Sequence, residues 1–130
     1  MKPLDAARAH LAKADEYLAE AESALQVGHF NVATSNAVIA GINAKDAICL
    51  ALVGTTSKAD DHRRAVPELR KAGKLGAELA PTLDRLLKPK TKSQYQALPM
   101  ARKDAEVATR QAAQMVAGAR AALAPGSAPP

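Results

Sequence analysis

Aromatic side chains are nearly missing from this 130-residue chain: there is no Trp, a single Phe and two Tyr, 2% in all. Sheets draw heavily on aromatic and β-branched residues, so a β-rich fold has little material to build on. Cysteine is limited to Cys49, which excludes an intrachain disulfide framework and fits a reducing, cytoplasmic setting. Met1 to Asp5 contain no apolar signal core. The longest uninterrupted apolar run, Ala47 to Val53, is far below the roughly 20 residues a bilayer crossing needs. No glycine-rich phosphate loop, nucleophile elbow or Cys/His metal cluster occurs, so no metal or cofactor is expected.

What fills the chain instead is alanine, 31 residues of it. Alanine has the highest helix propensity, and its small side chain lets helices approach closely, so the expected class is all-α with a thin core. Each buried Leu, Ile or Val then matters, at roughly 1.5–3 kcal/mol apiece. The length suits one domain, residues 1–123, followed by a disordered Pro/Ala tail over 124–130. The net charge of +5 is lopsided: residues 1–57 carry 4 Lys/Arg against 6 Asp/Glu, and residues 58–130 carry 14 against 7. A basic second half can face phosphate or an acidic partner, or be ordinary solvated helix surface.

Leu4, Ala7, Leu11, Ala14, Leu18, Ala21 and Leu25 recur at steps of three and four, which predicts a first helix packing along a neighbour and ending at Gly28. After the corner His29–Asn31, a second helix is expected from about Asn31 to Val53, stopped by Gly54. It is apolar around nearly its whole circumference and therefore belongs at the centre of a bundle. Its polar stripe is Asn36, Asn43 and Asp46, which either bridges helices, lines a dimer interface or forms a ligand site. A third helix is expected from Asp60 or Asp61 to about Ala72, kinked at Pro67 or regular only from Val66. Gly73 and Gly76 should break the chain before a short fourth helix, about Ala77–Leu87, with Pro81 in its first turn. Lys88-Pro-Lys-Thr-Lys92 reads as a basic loop leading to Tyr95, and a last helix runs from near Pro99 to about Leu123.

His10 and His29 are expected at the surface. His62, beside Asp61 and before Arg63-Arg64, either packs at a helix terminus or serves proton transfer or phosphate contact. Tyr95 could stack on a base, and Arg63, Arg64, Lys88, Lys90 and Lys92 could contact phosphates.

The order of these elements is similar to that of the HEPN (higher eukaryotes and prokaryotes nucleotide-binding) superfamily, in particular its small actinobacterial stand-alone members. The likeness is carried by Ala-Gly-Ile-Asn-Ala-Lys-Asp-Ala-Ile in the apolar helix, Asp61-His62-Arg63-Arg64-Ala65-Val66, Leu86-Leu87-Lys88 through Ser93-Gln94-Tyr95, and Asp104-Ala105 in an alanine-rich last helix. It implies an up-and-down antiparallel bundle of four main helices plus a short one. It also implies a homodimer, often tied to toxin–antitoxin or defence systems, with an antitoxin or nucleotidyltransferase as partner. In the superfamily that this chain resembles, catalytic members are metal-independent ribonucleases with Arg followed, after four to six residues, by His. No histidine here has an arginine at that spacing: residues 3–5, 22–24 and 55–57 contain none. The leading expectation is a non-catalytic or degenerate HEPN-like module that binds RNA, a nucleotide or a partner protein. A divergent ribonuclease using His62 and Tyr95 across a dimer, or a helical interaction module without nucleic-acid binding, are the alternatives.

Overall fold

The computed structural model describes residues 2–57, 62–96 and 99–125, with the backbone alone described over 89–96. The described residues form five helices: α1 (Pro3–Gln26), α2 (Phe30–Leu52), α3 (His62–Arg70), α4 (Gly73–Gln96) and α5 (Arg102–Leu123). The described residues contain no strand, and the four long helices with one short one form the expected all-α bundle.

α2 is the central rod. It packs on α1, α4 and α5 and touches α3, and between Ala33 and Cys49 nearly every residue is buried. Its hydrophobicity around most of its circumference has this physical reason: neighbouring helices cover all of it but the strip of Ser35, Asn36, Ile39 and Asn43. α1 starts with Pro3, whose missing amide costs nothing in a first turn, and packs most extensively on α2. Along its repeat the alanines at 7, 14 and 21 are wholly buried, whereas Leu11 and Leu18 are half-buried beside them and Leu4 is exposed. Small residues occupy the line of closest approach, and the leucines seal its flanks.

Gly28 ends α1 with a φ of 82°, a left-handed conformation that side chains resist. The amide of His29 donates to the carbonyl of Ala24 at 2.8 Å, and that of Gly28 to Leu25 at 3.2 Å, which closes the helix end as a Schellman motif. Near this corner Phe30 packs with Ala24, Ala33 and Ala105, and the Arg102 guanidinium lies 4.8 Å from the Phe30 ring centroid. Asn31 accepts the Met100 amide at 2.8 Å, tying the entry to α5 to the start of α2. Asp104 accepts the Ala101 amide at 3.2 Å, so α5 begins at Arg102 and not near Pro99.

Two expectations about the middle of the chain are overturned. The short helix is α3, and α4 runs on to Gln96, carrying the presumed Lys88–Lys92 loop as helix. Pro81 is thus in the interior of α4, and Pro89 also lies within it. Each removes one donor, and at Pro81 tertiary packing outweighs the local penalty, because Leu79, Leu83 and Leu86 dock that stretch of α4 on the core. Gly76 breaks nothing either. It sits in the first turn of α4 because a Cβ there would collide with the backbone carbonyl of Leu69 and the side chain of Ala72. Pro67 lies inside α3, which is already regular from His62. No helix is long and apolar enough to cross a membrane among the described residues. Asp60, Asp61 and residues 126–130 of the expected tail lie outside the described residues.

Candidate functional site

Lysine in the middle of an apolar helix has to find anions, and Lys45 does. Only 1% exposed, it sits next to Asp46, itself 2% exposed. Its ammonium donates to Glu68 Oε1 of α3 at 2.6 Å, to Thr56 Oγ1 at 2.8 Å and to Asp46 Oδ1 at 3.3 Å, with Ser57 Oγ at 3.4 Å. Thr56 passes its own hydroxyl hydrogen to Asp46 Oδ1 at 2.6 Å, and Ser57 gives one to Glu68 Oε1 at 2.6 Å. The result is a closed network joining α2, the segment after Gly54 and α3, with two carboxylates around one ammonium. Burying such charges is tolerable only when each is paired in this way.

Burial resists the charge on Glu68, but hydrogen bonds from Lys45 and Ser57 and the Lys45 charge outweigh it and hold its carboxyl below the ordinary value. Cys49, one turn from Lys45, moves oppositely: burial pushes its thiol up to about 11, beyond what the nearby Lys45 charge recovers. It is a packing residue, not a nucleophile.

On the other side of Asp46, His10 of α1 reaches in. Its Nδ1 lies 2.9 Å from Asn43 Oδ1 and 3.9 Å from Asp46 Oδ2, and Asn43 Nδ2 donates to the Ile39 carbonyl at 3.0 Å. The expectation that His10 is a surface residue therefore needs correction, since three quarters of its side chain is covered. A histidine outside the leucine–alanine seam can still face the adjoining flank of the partner helix. Of the predicted polar stripe, Asn43 and Asp46 come together at His10, while Asn36 is half-buried and not part of this constellation.

The basic candidates are placed as follows. α3 turns Ala65 and Leu69 to the core, which leaves Arg63, Arg64, Pro67 and Arg70 exposed, with Lys71 just beyond. The helix's only acid, Glu68, is held by Lys45, so its outer face is cationic. Arg70 and Lys71 were not singled out from sequence, although each stands seven residues after an arginine, the spacing of one helix face. His62 is half-buried at the first position of α3. Lys88 is exposed and lies 3.6 Å from Asp84 one turn earlier. It is about 18 Å along α4 from Gly76, where α3 touches. The backbone of Lys90, Lys92 and Tyr95 is helical, and their side chains lie outside the described residues. Among the described residues no three His, Cys, Asp or Glu side chains converge as a metal ion would need.

A model of the HEPN domain matches residues 7–120, nearly the whole bundle. The chain belongs to the HEPN family. No protein of curated function matches it. In this HEPN chain the three positions where an arginine would complete the Arg-x4–6-His pattern with His62 are Thr55, Thr56 and Ser57. Two of these carry the hydroxyls that close the Lys45 network. Thr56 and Ser57 are thus occupied in holding α3 against α2.

Proposed function

We propose that this protein is a non-catalytic HEPN module that binds RNA or a nucleotide through the cationic outer face of α3, with Arg63, Arg64, Arg70 and Lys71 contacting phosphates. The observation that carries the reading is the exposure of Arg63, Arg64 and Arg70 on α3 and of Lys71 just beyond it, with Glu68 of that helix engaged by Lys45. Lys88, Lys90 and Lys92 are further candidate phosphate contacts by their sequence, and Tyr95 is a candidate to stack on a base. Arginine and lysine give affinity without base selectivity, so binding is salt-sensitive and sequence-tolerant. The module works as a cytoplasmic homodimer of the small stand-alone type, with a toxin–antitoxin or defence partner such as an antitoxin or nucleotidyltransferase.

Fluorescence anisotropy with a labelled single-stranded RNA tests this. Four phosphate contacts give a salt slope of about −3 on a logarithmic plot. Arg63→Glu with Arg64→Glu lowers affinity about tenfold or more at low salt. A wild-type protein with no affinity for RNA or nucleotides at low ionic strength refutes the reading.

The ribonuclease alternative needs a base, an acid and a cation around one phosphate. His62 and Tyr95 from two subunits would supply the first two. Growth arrest on expression, relieved by His62→Ala, would replace the non-catalytic reading with this one.

A further inference from the structure

The flank of α1 and α2 opposite the Lys45 network carries an arrangement that phosphate binding at α3 does not use. Asn43 anchors it, because donation from its Nδ2 to the Ile39 carbonyl turns Oδ1 toward α1. An amide oxygen can only accept, so His10 Nδ1, 2.9 Å away, carries the hydrogen. Asp46 Oδ2, 3.9 Å from the same nitrogen, favours that tautomer further. In a neutral imidazole, a hydrogen on Nδ1 makes Nε2 the acceptor. His10 and Asn43 line an open groove of about 760 Å³ with Lys13, Glu16, Tyr17, Glu20 and Ile39. Glu16, Tyr17 and Glu20 are exposed, and the two glutamates stand one turn apart on α1.

Acceptors dominate this groove. It offers the imidazole lone pair and two carboxylates, one ammonium from Lys13, an aromatic ring and an aliphatic side chain. The matching ligand is cationic, rich in donors and flat enough to lie on Tyr17, a description that fits a guanidinium and not a phosphate, which Glu16 and Glu20 would repel. The charge of the chain agrees: residues 1–57 hold more acids than bases, whereas the surface of α3 is cationic. We propose that the α1–α2 groove receives an arginine side chain from a segment of a partner protein. The guanidinium stacks on Tyr17 and donates to His10 Nε2 and to the carboxylates of Glu16 and Glu20. Asn43 and Asp46 are positioning residues that hold the imidazole. The proposal stands apart from the RNA reading, since it uses another face and the opposite charge.

The test uses the full chain and two labelled alanine-based helical peptides, one with four arginines and one with four lysines at the same positions. The arginine peptide binds about threefold or more tighter than the lysine peptide, and Tyr17→Ala weakens it about fivefold. Glu16→Gln with Glu20→Gln weakens it about tenfold. His10→Leu, which has no acceptor, loses affinity that His10→Gln partly restores, and thermal melting shows that each variant folds. Arg63→Glu with Arg64→Glu leaves peptide affinity unchanged while removing RNA binding, so failure of one reading is separable from failure of the other. Absence of peptide binding by the wild-type chain overturns the proposal, as does equal affinity for both peptides with no loss in Tyr17→Ala. Light scattering that shows a dimer dissociated by Tyr17→Ala also overturns it, because the occupant is then a second copy of the chain.

Discussion

Replacing Lys45 by Met keeps most of the aliphatic stem and removes the ammonium. Asp46, 3% exposed in its side chain, then retains the Thr56 hydroxyl as its close donor, and Glu68 retains Ser57. Leaving a buried carboxylate without its cation costs about 3–5 kcal/mol. Against a total stability on the order of 5–15 kcal/mol, that is a large share. Glu68 is one third exposed, so water recovers part of its solvation and the expectation falls toward the lower end of the range. Urea unfolding followed by helical circular dichroism should show the midpoint falling with little change in slope, and Tm dropping about 10 °C. Adding Asp46→Asn to Lys45→Met removes the orphaned charge, so the double variant should be more stable than the sum of the single losses implies, by about 1–3 kcal/mol of coupling. A loss below about 1 kcal/mol for Lys45→Met, or strict additivity, would refute the view that this network holds α3 to α2.

The depressed Glu68 carboxyl sets the sign of the acid response: its stabilising contribution is present above the ordinary glutamate range and is lost as pH falls through its lowered folded value. Glu68→Gln should flatten the decline of stability on acidification, as read by urea midpoints across pH. Gly76→Ala should destabilise by about 1–3 kcal/mol despite alanine's better helix propensity, because the obstructing atom is the Leu69 backbone carbonyl. Gly41→Ala meets the terminal methyl of Leu86, a side chain that can turn where a backbone carbonyl cannot, and should cost less, and a reversed order in thermal melts would count against the α3–α4 contact described. Cys49, with its thiol pushed up to about 11 by burial, should react with a disulfide reagent only at the rate of unfolding at neutral pH. Rapid modification of the folded protein would contradict its placement.

Much of the architecture was legible because it follows from local rules. The alanine repeat of α1, the apolar circumference of α2 and the stops at Gly28 and Gly54 each depend on residues near one another in the chain. The short helix was misassigned because proline carries a local penalty, and that penalty favoured a loop at Lys88–Lys92. The docking of Leu79, Leu83 and Leu86, which carries α4 through Pro81, depends on neighbours distant in sequence. Part of the site was visible in the same way. Asn43 and Asp46 stood out as polar residues on an apolar rod, and Arg63 and Arg64 as adjacent charges. Lys45 was readable only as one more charge. Its partner Glu68 is 23 residues away, and the Asn43 partner His10 is 33 residues away.

Composition and periodicity by themselves therefore determined the helical class, the central place of α2 and the excess of cations in the second half, since propensity, hydrophobic burial and net charge add up residue by residue. Tertiary structure alone decided which charges cancel and which remain. Pairing of Lys45 with Glu68 engages the one acid of α3, and the fixed Asn43 amide draws in a histidine expected at the surface. Both are matters of separations near 3 Å between distant parts of the chain, where Coulomb and hydrogen-bond energies change steeply with distance.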